Sequence, residues 1–572
     1  MPDAFHDSAA RFPPPKCHLG TRKEYIKEIT NWALGESEHK EPVLWMRGPF
    51  GVGKTAVAQS SAEALKPINK LLATLFFSRS NADRDDPRRV FPSLVYQIST
   101  LCKQFAIIVD TRIREDLALT TKSLATQFEE LLVIPLSQID VVATGLEGRV
   151  VIIDGLDECR GIAEQCEIIR IITTSARNGT TPFRWFITSR PEDPIIRAMK
   201  TGSTSSVVYG IELPLSRSND HEILLFLVDE FAKIREIHDL PESWPSDEVL
   251  ALLVERGAGL WIYVATIVRF INAENTLGPE DQLQIVLRFI GDVSNKFESN
   301  NPLREMDFFY TLILQRLPSN ILEVIRRILY LHSRGYSVLI TLFDLGISEE
   351  QFRRYCVFIR SVMDVRGSSR DPKSPDFLHL NFYHASFIDY LTDHKRSGGM
   401  CIHGEFLIRW RKELLGWLHY VSSHTSDSSC FVFPAGTILP REIERGEHYR
   451  RVVGVFWELC AQPDHQFDGS TAASISNFSF RKMLSLIPEG KFLWITYGTA
   501  QQFWQNLPVE YREKVIRKES CPVPECTATE LVWILGYGDN EVIPVTDDDD
   551  LLLQNNQNVP AGQCLCGAKR SI

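Results

Sequence analysis

The stretch VLWMRGPFGVGKTAVAQS, residues 43–60, leaves a chain few ways to fold. A short apolar run, Val43–Arg47, enters a turn containing Gly48, Gly51 and Gly53 and leaves it through Lys54, Thr55 and Ala56 into a segment of helical character. Gly48–Thr55 fits G-x-x-x-x-G-K-[ST], a pattern whose glycines let backbone N–H groups close around phosphate oxygens while the following helix adds its positive end. Gly48, Pro49, Phe50, Gly51, Val52, Gly53, Lys54, Thr55 and Ala56 are therefore the expected phosphate-binding residues. Lys54 should reach the β- and γ-phosphates of a nucleotide, and the Thr55 hydroxyl should ligate Mg2+.

The rest of the N-terminal third supplies the sheet that such a loop needs. VLWMR, LLATLFF, VVIID, FRWFIT and SVVYGIELP are short apolar runs separated by helix-length segments over about residues 42–214. That alternation predicts an α/β P-loop fold, a five-stranded parallel sheet of the ASCE type covered on both faces. The run VVIIDGLDECRG ends in Asp154, Asp157 and Glu158, like charges that oppose folding unless a cation or a hydrogen-bond donor offsets them. Asp154 is expected to hold Mg2+ from the strand opposite Thr55. Asp157 and Glu158 either stand near the γ-phosphate and orient a water, or begin a helix and favour its positive end. FRWFITSRPEDP ends in Thr188, Ser189 and Arg190. If this strand lies between the other two, Arg190 faces the γ-phosphate and senses it; otherwise it is a surface arginine before a proline.

Composition narrows the class. The 572 residues carry a formal net charge of -11 without a basic stripe, which excludes nucleic acid as the main partner. The longest apolar run, LWIYVATIVRFI, is too short to span a bilayer and contains Arg269. MPDAFHDSAARFPPPK lacks a signal-peptide core, and Cys102, Cys159 and Cys166 lie in or beside apolar segments, so a cytoplasmic protein with free thiols is expected. Cys521/Cys526 and Cys564/Cys566 miss the spacing of zinc knuckles.

Composition and periodicity divide the chain into a flexible N-terminal segment 1–20, an NTPase domain 21–214 and a helical domain 215–321. A winged-helix-like domain 322–398, a helical region 399–540 and a disordered acidic tail 541–572 follow. SDEVLALLVERGAGLWIYVATIVRFI reads as one helix, and CVFIRSVMDVRG and DFLHLNFYH as the two strands of a hairpin.

GPFGVGKT, VVIIDGLDEC and FRWFITSRPE, in this order, resemble the NACHT subgroup of the STAND NTPases, especially the NACHT proteins of mushroom-forming fungi. CHLGTRKEYIKEITNW, LLATLFFSRS, GAGLWIYVATIVRFI and FYHASFIDYLTD extend the likeness over about residues 15–400. The resemblance implies a signalling switch with a resting ADP form and an ATP form that opens and forms homo-oligomers. It places His384 on the β-phosphate, and Thr21 and Arg22 beside the base. An imidazole amid Phe382, Tyr383 and Phe387 in any case needs a polar partner, nucleotide or backbone. Where many relatives carry Gly-x-Pro, this chain has Gly259, Leu260 and Trp261. Trp261 either stacks on the base or is core, which leaves ATP against GTP open.

The expectation is thus a slow, Mg2+-dependent ATPase switch with protein partners still to be named, in fungal self/non-self or innate-type recognition. The roughly twenty residues before the NACHT-like module are too few for an effector fold, and 400–540 shows no repeat array, so effector and sensor parts are expected to be missing or unfamiliar. A scaffold that binds nucleotide without turnover, or a truncated regulator of related chains, is the alternative. A threading ATPase ranks below both, for want of an aromatic pore-loop signature.

Overall fold

The computed structural model describes residues 1–511 except 82, 203, 274–276, 297–301, 368–377, 427–429, 436, 438–443, 462–466, 468, 479–481, 484–485, 487–501 and 504. The late cysteine pairs, the acidic tail and the hairpin turn SSRDPKSP lie outside the described residues. The chain forms two compact units. By their described residues, one comprises 1–316, 357–367 and 378–390, and the other 317–356 and 391–511.

In the first unit, β1 (Val43–Arg47), β2 (Leu71–Phe76), β3 (Val150–Asp154), β4 (Arg184–Ser189) and β5 (Val208–Glu212) form a sheet in the order β2-β3-β4-β1-β5. Every pairing in it is parallel. The apolar runs are continuous because both faces are covered, and the period of two sorts their side chains between two cores. Leu44, Met46, Ile152 and Phe186 face the helices α1 (Lys23–Leu34) and α2 (Lys54–Leu65), meeting Ile29, Trp32, Val57 and Ala62. Trp45, Val151, Ile153, Trp185 and Ile187 face the opposite layer of Phe91, Leu94, Phe105, Ile168 and Ile172. β4 lies between β3 and β1, so Asp154, Thr188 and Arg47 reach the same carboxyl-end edge.

Three expectations need correction. Residues 1–11 are not loose: Met1 and Ala4 are buried in the sheet's core, and the His6 N–H donates to Thr74 Oγ1 at 2.9 Å. Arg11 is buried there too, donating to Gln59 Oε1 at 2.8 Å with its guanidinium 3.6 Å from the Phe76 ring centroid. The sequence from 247 to 271 is two helices, Asp247–Gly257 and Trp261–Ile271, because Ala258 and Gly259 adopt positive φ of 44° and 84°. A Cβ at Gly259 would lie 2.3 Å from the Ser216 carbonyl oxygen, so the break tolerates no side chain. The hairpin strands are shorter than their apolar runs, β6 (Met363–Arg366) and β7 (His379–Phe382) pairing antiparallel, with Val357–Ile359 a 3-10 turn.

The second unit is helical among its described residues. Leu418, Val421, Tyr449, Val453, Phe456, Trp457 and Cys460, from the helices Glu405–His424 and Arg445–Cys460, build a core of their own with Ile475 and Phe503.

Candidate functional site

The phosphate loop is closed in by its neighbours at Gly48 and Gly51. Gly51 and Gly53 have φ of 74° and 99°, and a Cβ at Gly51 would lie 2.2 Å from Ile262 Cγ2. The Ile262 N–H donates to the Gly51 carbonyl at 3.1 Å. The helix break at 258–259 thus presents Leu260 and Ile262 to the loop. A Cβ at Gly48 would lie 2.2 Å from the Leu213 carbonyl oxygen. Lys54 Nζ donates to the carbonyls of Gly48 and Pro49, each at 2.8 Å. Burial lowers its pKa, while Asp157 and Asp154 pull it back up.

The three carboxylates are spread by a turn at Gly155 (φ 69°) and a 3-10 turn, Leu156–Glu158; the following helix starts only at Ile162. Asp154 is buried, and the Thr188 hydroxyl donates to its Oδ1 at 2.6 Å while accepting the Gly155 N–H at 3.0 Å. Burial raises the Asp154 pKa, and hydrogen bonds from the Thr188 and Thr55 hydroxyls oppose the shift. Asp157 Oδ1 accepts the Arg190 N–H at 2.9 Å, and its Oδ2 lies 3.2 Å from Arg190 Nε and 3.4 Å from Arg79 Nη2. Glu158 Oε2 accepts the Arg79 N–H at 3.2 Å. Burial, then the neighbouring Asp157 charge, push the Glu158 carboxyl up to about 7. Two arginines of the chain therefore already offset part of the acidic cluster.

Arg190 is not a surface residue. Its Nη1 lies 3.0 Å from Asp389 Oδ2, and Arg79 Nη1 lies 3.3 Å from Asp389 Oδ1. Arg79, Asp157, Arg190 and Asp389 close a ring of ion pairs that the motifs did not announce. Strand order is the signal that finds Arg79: β2 neighbours β3, so the residues after Phe76 border the turn after Asp154. Nothing local marks Asp389, which is 199 residues beyond Arg190.

His384 stands beside the loop, its ring 6.1 Å from that of Phe50. Its Nδ1 accepts the Ser386 N–H at 3.1 Å, so the neutral ring carries its proton on Nε2. Burial and the nearby Arg190 and Lys54 push its pKa down to about 3, which keeps it neutral.

At the other end of the loop, Arg22 (φ 56°) donates from Nη2 to the Val52 carbonyl at 3.0 Å and from Nη1 to Asn219 Oδ1 at 3.0 Å. Its N–H donates to Glu222 Oε1 at 2.8 Å. The Thr21 hydroxyl donates to the His18 carbonyl at 2.8 Å. Trp261 packs edge-on against Phe226, ring centroids 5.9 Å apart, with the Arg22 guanidinium 5.6 Å from its own ring centroid.

The donor set suits a nucleotide with Mg2+. A hydroxyl and a carboxylate, Thr55 and Asp154, interact directly, and Mg2+ characteristically takes one or two such protein oxygens and completes its shell with water and phosphate. Among the described residues no cluster of three or more His, Cys, Asp or Glu could hold a metal without such help. No described helix is long and apolar enough to cross a membrane.

Residues 20–190 match the sequence profile of the family described as Nephrocystin 3, N-terminal, a span that takes in the loop, the acidic cluster and Arg190. No curated protein matches the sequence. Among solved structures, Cdc6p from Pyrobaculum aerophilum is similar at 13% identity, over 64% of this chain and 93% of that one, with a TM-score of 0.28. PCH-2 of C. elegans is similar at 12% identity, over 48% of this chain and 68% of that one, also at 0.28. Likeness at that level says nothing of what this chain binds. The chain's own features decide the class: a G-x-x-x-x-G-K-T loop between β1 and α2, sheet order β2-β3-β4-β1-β5, and an acidic strand end one strand away make this region a P-loop NTPase fold.

Proposed function

We propose that the chain is a nucleotide-dependent switch of the STAND class built on a NACHT-type module. It binds ATP and ADP with Mg2+, hydrolyses ATP slowly, and self-associates in its ATP form, acting in the cytoplasm in self/non-self or innate-type recognition. The observation that carries this reading is the closure of a distant segment over the site: His384 and Asp389 meet Phe50, Arg79 and Arg190 at the loop and the acidic edge. A contact so far apart in sequence makes the conformation of one element depend on what the other holds.

Each residue then has a task. Lys54 exchanges the carbonyls of Gly48 and Pro49 for phosphate oxygens, and the loop N–H groups wrap the remainder. Mg2+, held by Thr55 and Asp154, neutralises phosphate charge when bound. Asp157 is engaged by Arg79 and Arg190, which leaves Glu158 as the better base for orienting water. Burial and the neighbouring Asp157 charge raise the Glu158 pKa and so favour its protonated form. His384 donates from Nε2 to the β-phosphate in the closed form.

A non-hydrolysing nucleotide-bound scaffold is the second reading, favoured by the engagement of Arg190 with two carboxylates. Titration of labelled ATP into wild type and Lys54→Ala tests the shared core of both. Affinity should fall about 100-fold or more, because the phosphates lose their cation; unchanged affinity would remove the site assignment.

A further inference from the structure

Residues 5–12 carry a cation into the layer that holds the expected Mg2+ ligands. The Ser8 hydroxyl accepts the Ala10 N–H at 3.2 Å and starts a 3-10 turn, Ala9–Arg11, at whose end the Arg11 side chain is buried. Arg11 Nη1 donates to Gln59 Oε1 at 2.8 Å and to the carbonyls of His6 and Phe5 at 3.1 and 3.4 Å. Gln59 Nε2 donates in turn to the His6 carbonyl at 3.1 Å, which fixes the amide's orientation. The guanidinium lies 3.6 Å from the Phe76 ring centroid. These acceptors are all neutral, so the charge is not cancelled at close range and its field falls on the nearest anions.

Both anchors of Arg11 stand next to a residue that the site needs. Phe76 is the cross-strand partner of Asp154, and the period of two puts Phe76, Ile152 and Asp154 on one face of the sheet, the face that α2 covers. Gln59 follows Thr55 by four residues on α2, one turn along the same side of the helix. Thr55 and Asp154 are the two protein oxygens suited to Mg2+, and Arg11 touches the neighbour of each. Burial and then Arg84 lower the Arg11 pKa to about 9, while Asp154 and Asp7 oppose the shift, so Arg11 is charged at neutral pH and within electrostatic reach of Asp154. The segment is held on β2 by the His6 N–H on Thr74 Oγ1, and at its far end the Phe12 carbonyl accepts from the Arg366 guanidinium of β6.

We propose that Arg11 is a positioning residue for the binding of nucleotide with Mg2+, and that the docking of residues 5–12 is linked through it to occupation of the site. Arg11 joins Gln59 on α2 to Phe76 on β2, so the helix that carries the Thr55 hydroxyl and the sheet that carries the Asp154 carboxylate keep their spacing. By reciprocity, a site filled with Mg2+ and nucleotide holds the segment down. The inference rests on the nucleotide site of the reading above and adds to it a residue outside the phosphate loop and the acidic cluster.

The test uses the full chain and titrates ADP with Mg2+ and with EDTA, in wild type and in Arg11→Met, which keeps the apolar body of the side chain. In Arg11→Met the gain in affinity that Mg2+ gives should fall about tenfold. The sign is diagnostic, because loss of a nearby cation would by charge alone strengthen Mg2+ binding, whereas loss of position weakens it. An unchanged or larger gain in the variant would overturn the positioning role. In wild type, backbone hydrogen exchange over residues 6–11 should slow about fivefold with ADP and Mg2+ relative to ADP with EDTA, and equal exchange in the two would overturn the linkage. If Arg11→Met fails to fold, the exchange measurement decides alone. A wild-type chain that binds ADP under neither condition would remove the nucleotide site and this inference with it; one that binds, with Arg11→Met unmoved, removes the inference alone.

Discussion

Two arginine clusters flank the phosphate loop, and they are built for different ends. Arg22, with a side chain 4% exposed, spends its donors on fixed partners: the Val52 carbonyl, Asn219 and Glu222. Arg79 and Arg190, at 33% and 19%, share two carboxylates, one of them on a helix that returns from far along the chain. The first cluster is a staple between α1, the loop and the helix Asp220–His238. The second ties the residues after β2 and β4 to the turn after β3 and to the helix Ser386–Thr392 through shared ion pairs. Removing one partner of a buried ion pair leaves an uncompensated charge, so the two clusters should differ in what the loss of one arginine costs.

The largest effect should come from the staple. Arg22→Ala removes the cation beside the Glu222 carboxylate and the side-chain donor to the Val52 carbonyl, and should cost about 3–5 kcal/mol of stability. Arg190→Ala should cost less, about 1–2 kcal/mol, because Asp157 and Asp389 each keep Arg79 as a partner. Thermal unfolding of both variants measures this difference, and a larger loss from Arg190→Ala would invert the comparison. Thr188→Val, which deprives Asp154 of its 2.6 Å donor, should cost about 1–2 kcal/mol and weaken Mg2+-dependent nucleotide binding. An unaltered Mg2+ dependence would detach Thr188 from the site.

A pH effect sharpens the contrast. The folded-state pKa of Glu158 is raised from 4.5 to about 7, so the fold favours its protonated form. That contribution is present in full below about 4.5 and is lost as pH rises through 7. Denaturant titrations at pH 5 and pH 8 should show Glu158→Gln less pH-dependent than wild type, and relatively more stable at pH 8. Equal slopes would mean that Glu158 is not held in a desolvated, acid-crowded place. The smallest expected effect is kinetic: His384→Ala should release ADP a few-fold faster and favour self-association, since one closed-state contact is lost. An unchanged ADP off-rate would take His384 out of the switch.

Much of this architecture is legible in the sequence, and the parts that are not share a cause. The five sheet strands are visible because each is an apolar run bounded by turn residues, while the placement of β4 between β3 and β1, on which the expected role of Arg190 depends, is seen only in the sheet order. Asp154 and Arg190 are found because they end those runs. Arg79 and Asp389 escape because nothing in FSRS or FIDYL sets them apart from solvated charges; only the fold brings them within 3.3 Å. The packing of residues 1–11 escapes for a related reason. Arg11 and the few apolar residues Met1, Ala4 and Phe5 show no period, and their burial is decided by Gln59, Thr74 and Phe76 on other elements. The break at 258–259 was present in GAG, but the apolar pattern on either side continues in phase and hides it.

The central claim is that this site holds and slowly turns over nucleotide. The most direct measurement is to purify the full chain, denature it, identify the nucleotide released, and follow steady-state phosphate release by wild type and Glu158→Gln. The account predicts ADP in the released fraction and slow turnover that Glu158→Gln abolishes. A protein that carries no nucleotide and releases no phosphate would contradict it, and would leave Asp154, Asp157 and Glu158 as a cluster balanced by the chain's own arginines alone.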